Sequence, residues 1–417
     1  MPLFDPKAIS QSIGIYGTSQ AIAAFSALLR LPIAIGYIGI SDYGKMVSLI
    51  QILSVPFLFQ GAMRLHFRKR LSHQELDGIA SFFQIQRRLM KFSIQKFKYP
   101  LLVCVGISLI LVNKSFEGNI SLSITLTIIM SILFISILPT AIHYGYLDSK
   151  GKQNLVITID IVSSVISVPI LLLAVTAKMS ITYIFCVFTL TLWLPIFVLM
   201  YLTRNQKNRN KIDETQQFER DFHYSSYLKQ SLGSSLTLNY NSVLFALQTN
   251  PILVAKINIA EKLLSTIFIP TAALAPIQFV KLTKSSLVHG EKFKQTRSAI
   301  LLLNVFLTLL FTIPVVIGAY FLSPYLMNQT DALSLMLILS VAFGYFIYSI
   351  YSTLQLINLA SIETSNWILN LGIALGLLSC LLCYFFAAET KDFTLLLSIG
   401  LTYFAGSCIL VHHFFWK

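Results

Sequence analysis

Long, nearly unbroken apolar runs, such as Ile120–Leu138 and Leu395–Leu410, recur along this chain and are separated by short polar breaks. Alternating strands would give a period of two. Runs of this length instead match helices crossing a bilayer, whose hydrocarbon core takes about 20 residues. The pattern predicts twelve spans, near 13–38, 43–65, 98–113, 119–147, 153–177, 180–202, 225–248, 251–280, 298–322, 331–358, 365–387 and 393–416. The first run, Ile13–Gly39, is longer than a signal-peptide core and has no small-residue cleavage site after it, so it is expected to stay as a helix.

Composition agrees with that pattern. Of 417 residues 55% are apolar and only 12% charged, with a mean hydropathy of +0.73, which excludes a soluble globular protein. A net charge of +14 raises the question of nucleic acid, but its distribution answers it. Under the twelve-span scheme the external loops hold only Lys45, Lys114, Lys178 and Lys391, while most Lys and Arg are cytoplasmic. The positive-inside rule then places both termini in the cytoplasm, and no nucleic-acid partner is expected. The basic segment 66–98 opens with a capping box, Ser72-x-x-Glu75, and reads as an amphipathic helix on the inner surface that attracts anionic lipid headgroups.

Within the spans, residues 251–281 stand out because they carry Lys256, Glu261 and Lys262 where ionisable groups cost several kcal/mol. At 100° per residue, Asn258, Glu261, Lys262 and Ser265 share an arc, and Lys256 points the other way to snorkel. That polar stripe is expected to line a cavity; a structural Glu–Lys pair between helices is the alternative. Ser26 and Arg30 share a face of the first span beside Pro32, and a guanidinium there offers a fork suited to phosphate oxygens. Asn239 lies on a stripe with Ser231, Ser235 and Ser242 in the seventh span, and Asp160 on one with Ser163, Ser164 and Ser167 in the fifth. Asp160 and Glu261 are candidates for proton or sodium coupling, and equally for anchors between helices. Gly372-x-x-x-Gly376 is a helix-packing motif.

Residues 203–223 are the longest predominantly polar stretch and divide the chain into lobes 1–202 and 224–417. Leu147, Ser149 and Asn154 recur as Leu359, Ser361 and Asn366, each 212 residues further on, which supports two parallel six-helix repeats around a central site. Cys380 and Cys383 have a CxxC spacing without further ligands, and the 7 histidines are scattered, so neither a metal nor a cofactor is implied.

The stretches LLRLPIAIGYIGISDYGKMVSLIQIL, GYLDSKGKQNL and VAKINIAEKLLSTIFIPTAALAPIQF resemble the first-to-second helix turn, the fourth-to-fifth link and the eighth helix of the polysaccharide-unit (O-antigen) flippases. Those proteins form part of the MATE-like MOP exporter superfamily. The resemblance implies an all-α polytopic fold that moves undecaprenyl-diphosphate-linked oligosaccharide outward for O-antigen or capsule assembly, alongside a polysaccharide polymerase. Arg30 and Lys262 would meet the diphosphate; Ser26, Asn239, Asn258 and Ser265 would meet the sugars. A cation-coupled drug exporter of the MATE type is the alternative within the superfamily. A lipid II flippase would be expected to have two further spans. An O-antigen polymerase or glycosyltransferase is the alternative among enzymes, but it calls for a large external loop that is lacking here, and a transporter rather than an enzyme is expected.

Overall fold

The computed structural model describes residues 14, 17–57, 59–61, 63–64, 82–149, 153–203, 251–286, 291–327, 333–360, 366–386, 401 and 404–413. Every regular element among them is helical. In chain order these are α1 (Thr18–Leu53), α2 (Phe82–Ser115), α3 (Ile120–Ser149), α4 (Gln153–Thr176), α5 (Ile181–Thr203) and α6 (Pro251–Leu264). A 3-10 turn at Ser265–Phe268 leads into α7 (Ile269–Ser286), followed by α8 (Glu291–Leu326), α9 (Leu335–Ala360) and α10 (Asn366–Phe386). Phe404–His413 forms a further short apolar helix.

Eight helical segments among the described residues are long and apolar enough to cross a membrane, consistent with a polytopic membrane protein. The first, Ala21–Gly61, has 41 residues, about 60 Å of helix and twice a hydrocarbon core, so it is too long for a single crossing. Its break is at Gly39, whose φ of 81° and ψ of 158° are open to glycine and costly for residues with a Cβ. This break separates the first two expected spans. The seventh span with Asn239, the segment 65–81, the linker beyond Thr203 and the side chains of Cys380 and Cys383 lie outside the described residues.

Helices α2 and α3 form a hairpin whose turn takes left-handed conformations at Glu117 and Gly118, and Asn119 Oδ1 accepts the Leu122 N–H at 3.0 Å to start α3. Helix α2 continues from the basic segment into the third span without interruption. Its exposed stripe changes accordingly, from Lys91 and Lys98 to Leu102, Val103 and Ile110. Lys98 sits 4.9 Å above the Tyr99 ring, an arrangement suited to a membrane surface.

Two compact units are distinguished by packing: Met1–Val47 with Leu232–Lys417, and Ser48–Ser231. The first helix, as far as Val47, therefore packs with the C-terminal helices. In the second unit Phe59 packs on Phe97 and Phe134, with ring centroids 4.9 and 6.3 Å away. In the first, buried amides tie three helices together. Gln278 Nε2 donates to Asn304 Oδ1 at 2.7 Å, and Asn304 Nδ2 donates to Gln278 Oε1 and to Thr353 Oγ1, both at 3.0 Å. Thr308 and Ser349 add a hydroxyl pair at 2.9 Å. In hydrocarbon such bonds substitute for water that is absent, and they fix α7, α8 and α9 in register. Gly372 lets α10 lie against α9, since a Cβ there would come within 2.9 Å of Tyr351 Oη.

Candidate functional site

The site builds up from the meeting of α1 and α6 inside the first unit. The Asp42-Tyr43-Gly44 triplet after the Gly39 break gives each residue a separate task. Asp42 Oδ1 pairs with Lys45 Nζ at 2.7 Å across one turn. Tyr43, 1% exposed, donates its hydroxyl to Asn258 Oδ1 at 2.9 Å. Gly44 lies against the start of α6: a Cβ on it would overlap the Pro251 carbonyl oxygen and stand 2.7 Å from the carbonyl carbon. The triplet therefore clamps α1 to the first turns of α6.

Below that clamp, Ser26 and Arg30 are buried on one face of α1, while Phe25 and Leu29 on the other face are exposed. Pro32 has no N–H for the Leu28 carbonyl, which leaves a helical acceptor two residues from Arg30 without its usual donor. Lys262, on α6, lies within electrostatic reach of both Arg30 and Glu261, so α1 and α6 bring two cations and one carboxylate into one neighbourhood. Glu261 also lies within electrostatic reach of Tyr345 on α9. Electrostatic reach thus links Arg30 to Lys262, Lys262 to Glu261 and Glu261 to Tyr345.

Helix α6 ends beside these charges for a local reason. Pro270 cannot donate to the Thr266 carbonyl, and the Ile269 N–H turns to that oxygen instead, closing the 3-10 turn. Side chains complete the break: Ser265 Oγ donates to the Lys262 carbonyl at 3.0 Å, Thr266 Oγ1 to Leu263 at 2.7 Å and Thr271 Oγ1 to Phe268 at 3.1 Å. Ser265 is thus bonded within its own helix. Glu261, Lys262, Ser265 and Phe268 are all part-exposed along one side of the element, whereas Asn258 is buried against Tyr43.

Asp160 belongs to the second unit. It is exposed and within electrostatic reach of Arg64, whose guanidinium sits 4.8 Å over the Tyr144 ring. The buried serines beside it turn inward to their own helix, Ser163 to the Ile159 carbonyl and Ser167 to that of Ser164. Tyr345 and Tyr348 did not emerge from the sequence as site residues. Their signal is the Tyr345-x-x-Tyr348-x-x-Tyr351 spacing, which sets three tyrosines along one side of an apolar span. Among the described residues no group of His, Cys, Asp and Glu could hold a metal ion.

Comparison of the whole fold with solved structures brings a consistent answer. The chain superposes on the lipid II flippase MurJ in an inward closed conformation with a TM-score of 0.66 and 16% identity, covering 95% of this chain and 87% of that one. The chain shares the fold of solved transporters. A MOP-superfamily transporter from Pyrococcus furiosus, described as having a binding pocket of reverse polarity, aligns at a TM-score of 0.61 and 13% identity, over 98% of this chain and 94% of that one. An outward-facing MATE multidrug resistance transporter of the same superfamily aligns at 0.58 and 13%, with the same coverage. No protein-family model and no curated protein matches the sequence. The MATE-like, all-α architecture expected from the sequence is therefore the one observed, and the identities are of a level that speaks to fold.

Proposed function

We propose that this protein is a transporter of the flippase type, moving polyprenyl-diphosphate-linked oligosaccharide across the bacterial inner membrane for O-antigen or capsule assembly. The observation that carries this reading is that Arg30 and Lys262, from two separate helices, lie within electrostatic reach of one another, with the Glu261 carboxylate within reach of Lys262. Two cations that repel one another inside a membrane span are costly, and a diphosphate would relieve both at once. Arg30 supplies a planar fork and Lys262 a point charge, the pairing that suits a diphosphate. The polyprenyl tail would stay in lipid while the headgroup passes between two six-helix lobes by alternating access. The MOP fold, which serves a lipid-linked substrate in MurJ, supports the same reading.

A MATE-type drug exporter is the second reading, and one observation favours it. Phe268 stands edge-to-face with Tyr345 and Tyr348, centroids 5.2 and 5.5 Å away, next to the Glu261 carboxylate, a combination that also suits an organic cation. Complementation of a strain lacking its polysaccharide-unit flippase separates the two. Arg30→Ala and Lys262→Ala should each lower surface polysaccharide at equal levels of inserted protein. Normal export by both, with altered resistance to cationic dyes, would move the assignment to the drug exporter.

A further inference from the structure

Beyond the two cations, the same neighbourhood holds polar groups that the diphosphate leaves unused. Glu261 makes no hydrogen bond and no ion pair among the described residues, although a carboxylate has room for several donors. The Tyr345 hydroxyl is likewise unbonded among them; Glu261 is part-exposed, and Tyr345 keeps 8% of its surface exposed. The two groups lie within electrostatic reach of one another. Apolar ring surface borders them: Phe268 packs edge-to-face on Tyr345 and Tyr348. The Phe268 position depends on the 3-10 turn, which ends at that residue.

We infer that Glu261 and Tyr345, with the Phe268–Tyr345–Tyr348 rings as an apolar wall, form a subsite for the sugar next to the diphosphate. This rests on the flippase reading of Arg30 and Lys262. A carboxylate accepts strongly from vicinal sugar hydroxyls, a phenol both donates and accepts, and aromatic rings cover the apolar faces of a pyranose. The order of groups fits a glycosyl diphosphate read from end to end. Phosphates lie at the α1 side, with Arg30 and Lys262, and the first sugar at the α9 side, with Glu261 and Tyr345. Glu261 then takes part in recognition rather than in ion coupling, and Asp160, in the other unit, is left as the coupling candidate.

The test uses purified full-length protein and two probes, farnesyl diphosphate and farnesyl-diphospho-N-acetylglucosamine. Wild type should bind the glycosylated probe about tenfold more tightly, the size expected for hydrogen bonds to a charged group. In Glu261→Gln and Tyr345→Phe that ratio should fall toward one. Farnesyl diphosphate should bind Glu261→Gln at least as well as wild type, because a nearby negative charge is gone. Retained discrimination in both variants, or equal binding of the two probes by wild type, would overturn the subsite while leaving the diphosphate site standing. If wild type binds neither probe, or if Arg30→Ala and Lys262→Ala bind farnesyl diphosphate like wild type, the flippase reading itself fails. Should Glu261→Gln not accumulate, Tyr345→Phe decides, with its farnesyl diphosphate binding as the control for folding.

Discussion

Gly44→Ala is the substitution whose effect the structure defines most sharply. The added Cβ would overlap the Pro251 carbonyl oxygen and lie 2.7 Å from its carbon and 3.3 Å from its Cα. Carbon atoms pack best at about 3.5–4.0 Å, so the start of α6 would have to withdraw by roughly 1 Å. Overpacking of this sort costs about 1–3 kcal/mol. The Tyr43–Asn258 bond, at 2.9 Å, would lengthen with the same movement, and an interhelical polar bond in a membrane protein is worth about 0.6 kcal/mol. Alanine's better helix propensity returns about 1 kcal/mol. The net is a destabilisation of about 0.6–2.6 kcal/mol. Gly318→Ala and Gly344→Ala are the internal controls, since a Cβ at either meets nothing within 4 Å and only the propensity gain applies. Thermal unfolding in detergent should place Gly44→Ala below wild type and both controls at or above it. In Gly44→Ala, a further Tyr43→Phe change should cost less than it does alone, because the bond is already strained. A Gly44→Ala protein as stable as Gly318→Ala would refute the close approach of α1 and α6.

Asn304→Leu should destabilise by about 1–3 kcal/mol by stranding the Gln278 amide, and Gln278→Leu added to it should recover part of the loss, as a double-mutant cycle in thermal unfolding would read. At the charged cluster, Arg30→Lys should reduce complementation because the fork is lost while the charge remains, whereas Lys262→Arg should be tolerated better than Lys262→Ala. Quantified surface polysaccharide, normalised to inserted protein, checks both.

The architecture was legible because spans in lipid have to be long, apolar and internally hydrogen-bonded, and a linear sequence displays all three conditions. The charged stripe of α6 was legible for the same reason: Glu261 and Lys262 stand out in an apolar run. What faces each of them was not, because periodicity gives a direction around one helix and says nothing of the neighbour lying in that direction. Asn258 falls in the same arc as Glu261, yet Tyr43, 215 positions earlier in the chain, engages it in a buried bond. Ser265 shares the arc too, and its hydroxyl turns back on its own helix because Pro270 disturbs the backbone there. Asp160 shows the converse. Its serine neighbours share its face by angle but are buried and self-bonded, while the carboxylate stays exposed toward Arg64. The Gly44 contact has a sequence trace only in the Asp-Tyr-Gly triplet, whose meaning depends on Pro251.

The central claim is that Arg30 and Lys262 together receive an anionic headgroup on its way across the membrane. Its most direct measurement is translocation in proteoliposomes of a polyprenyl-diphosphate saccharide with a fluorophore on the sugar, read as the fraction protected from an external quencher. Wild-type protein should redistribute the probe between leaflets. Arg30→Ala, Lys262→Ala and the double variant, inserted to equal density, should each slow that redistribution at least about tenfold, the equivalent of 1.4 kcal/mol. Redistribution at the wild-type rate by the double variant would contradict the account.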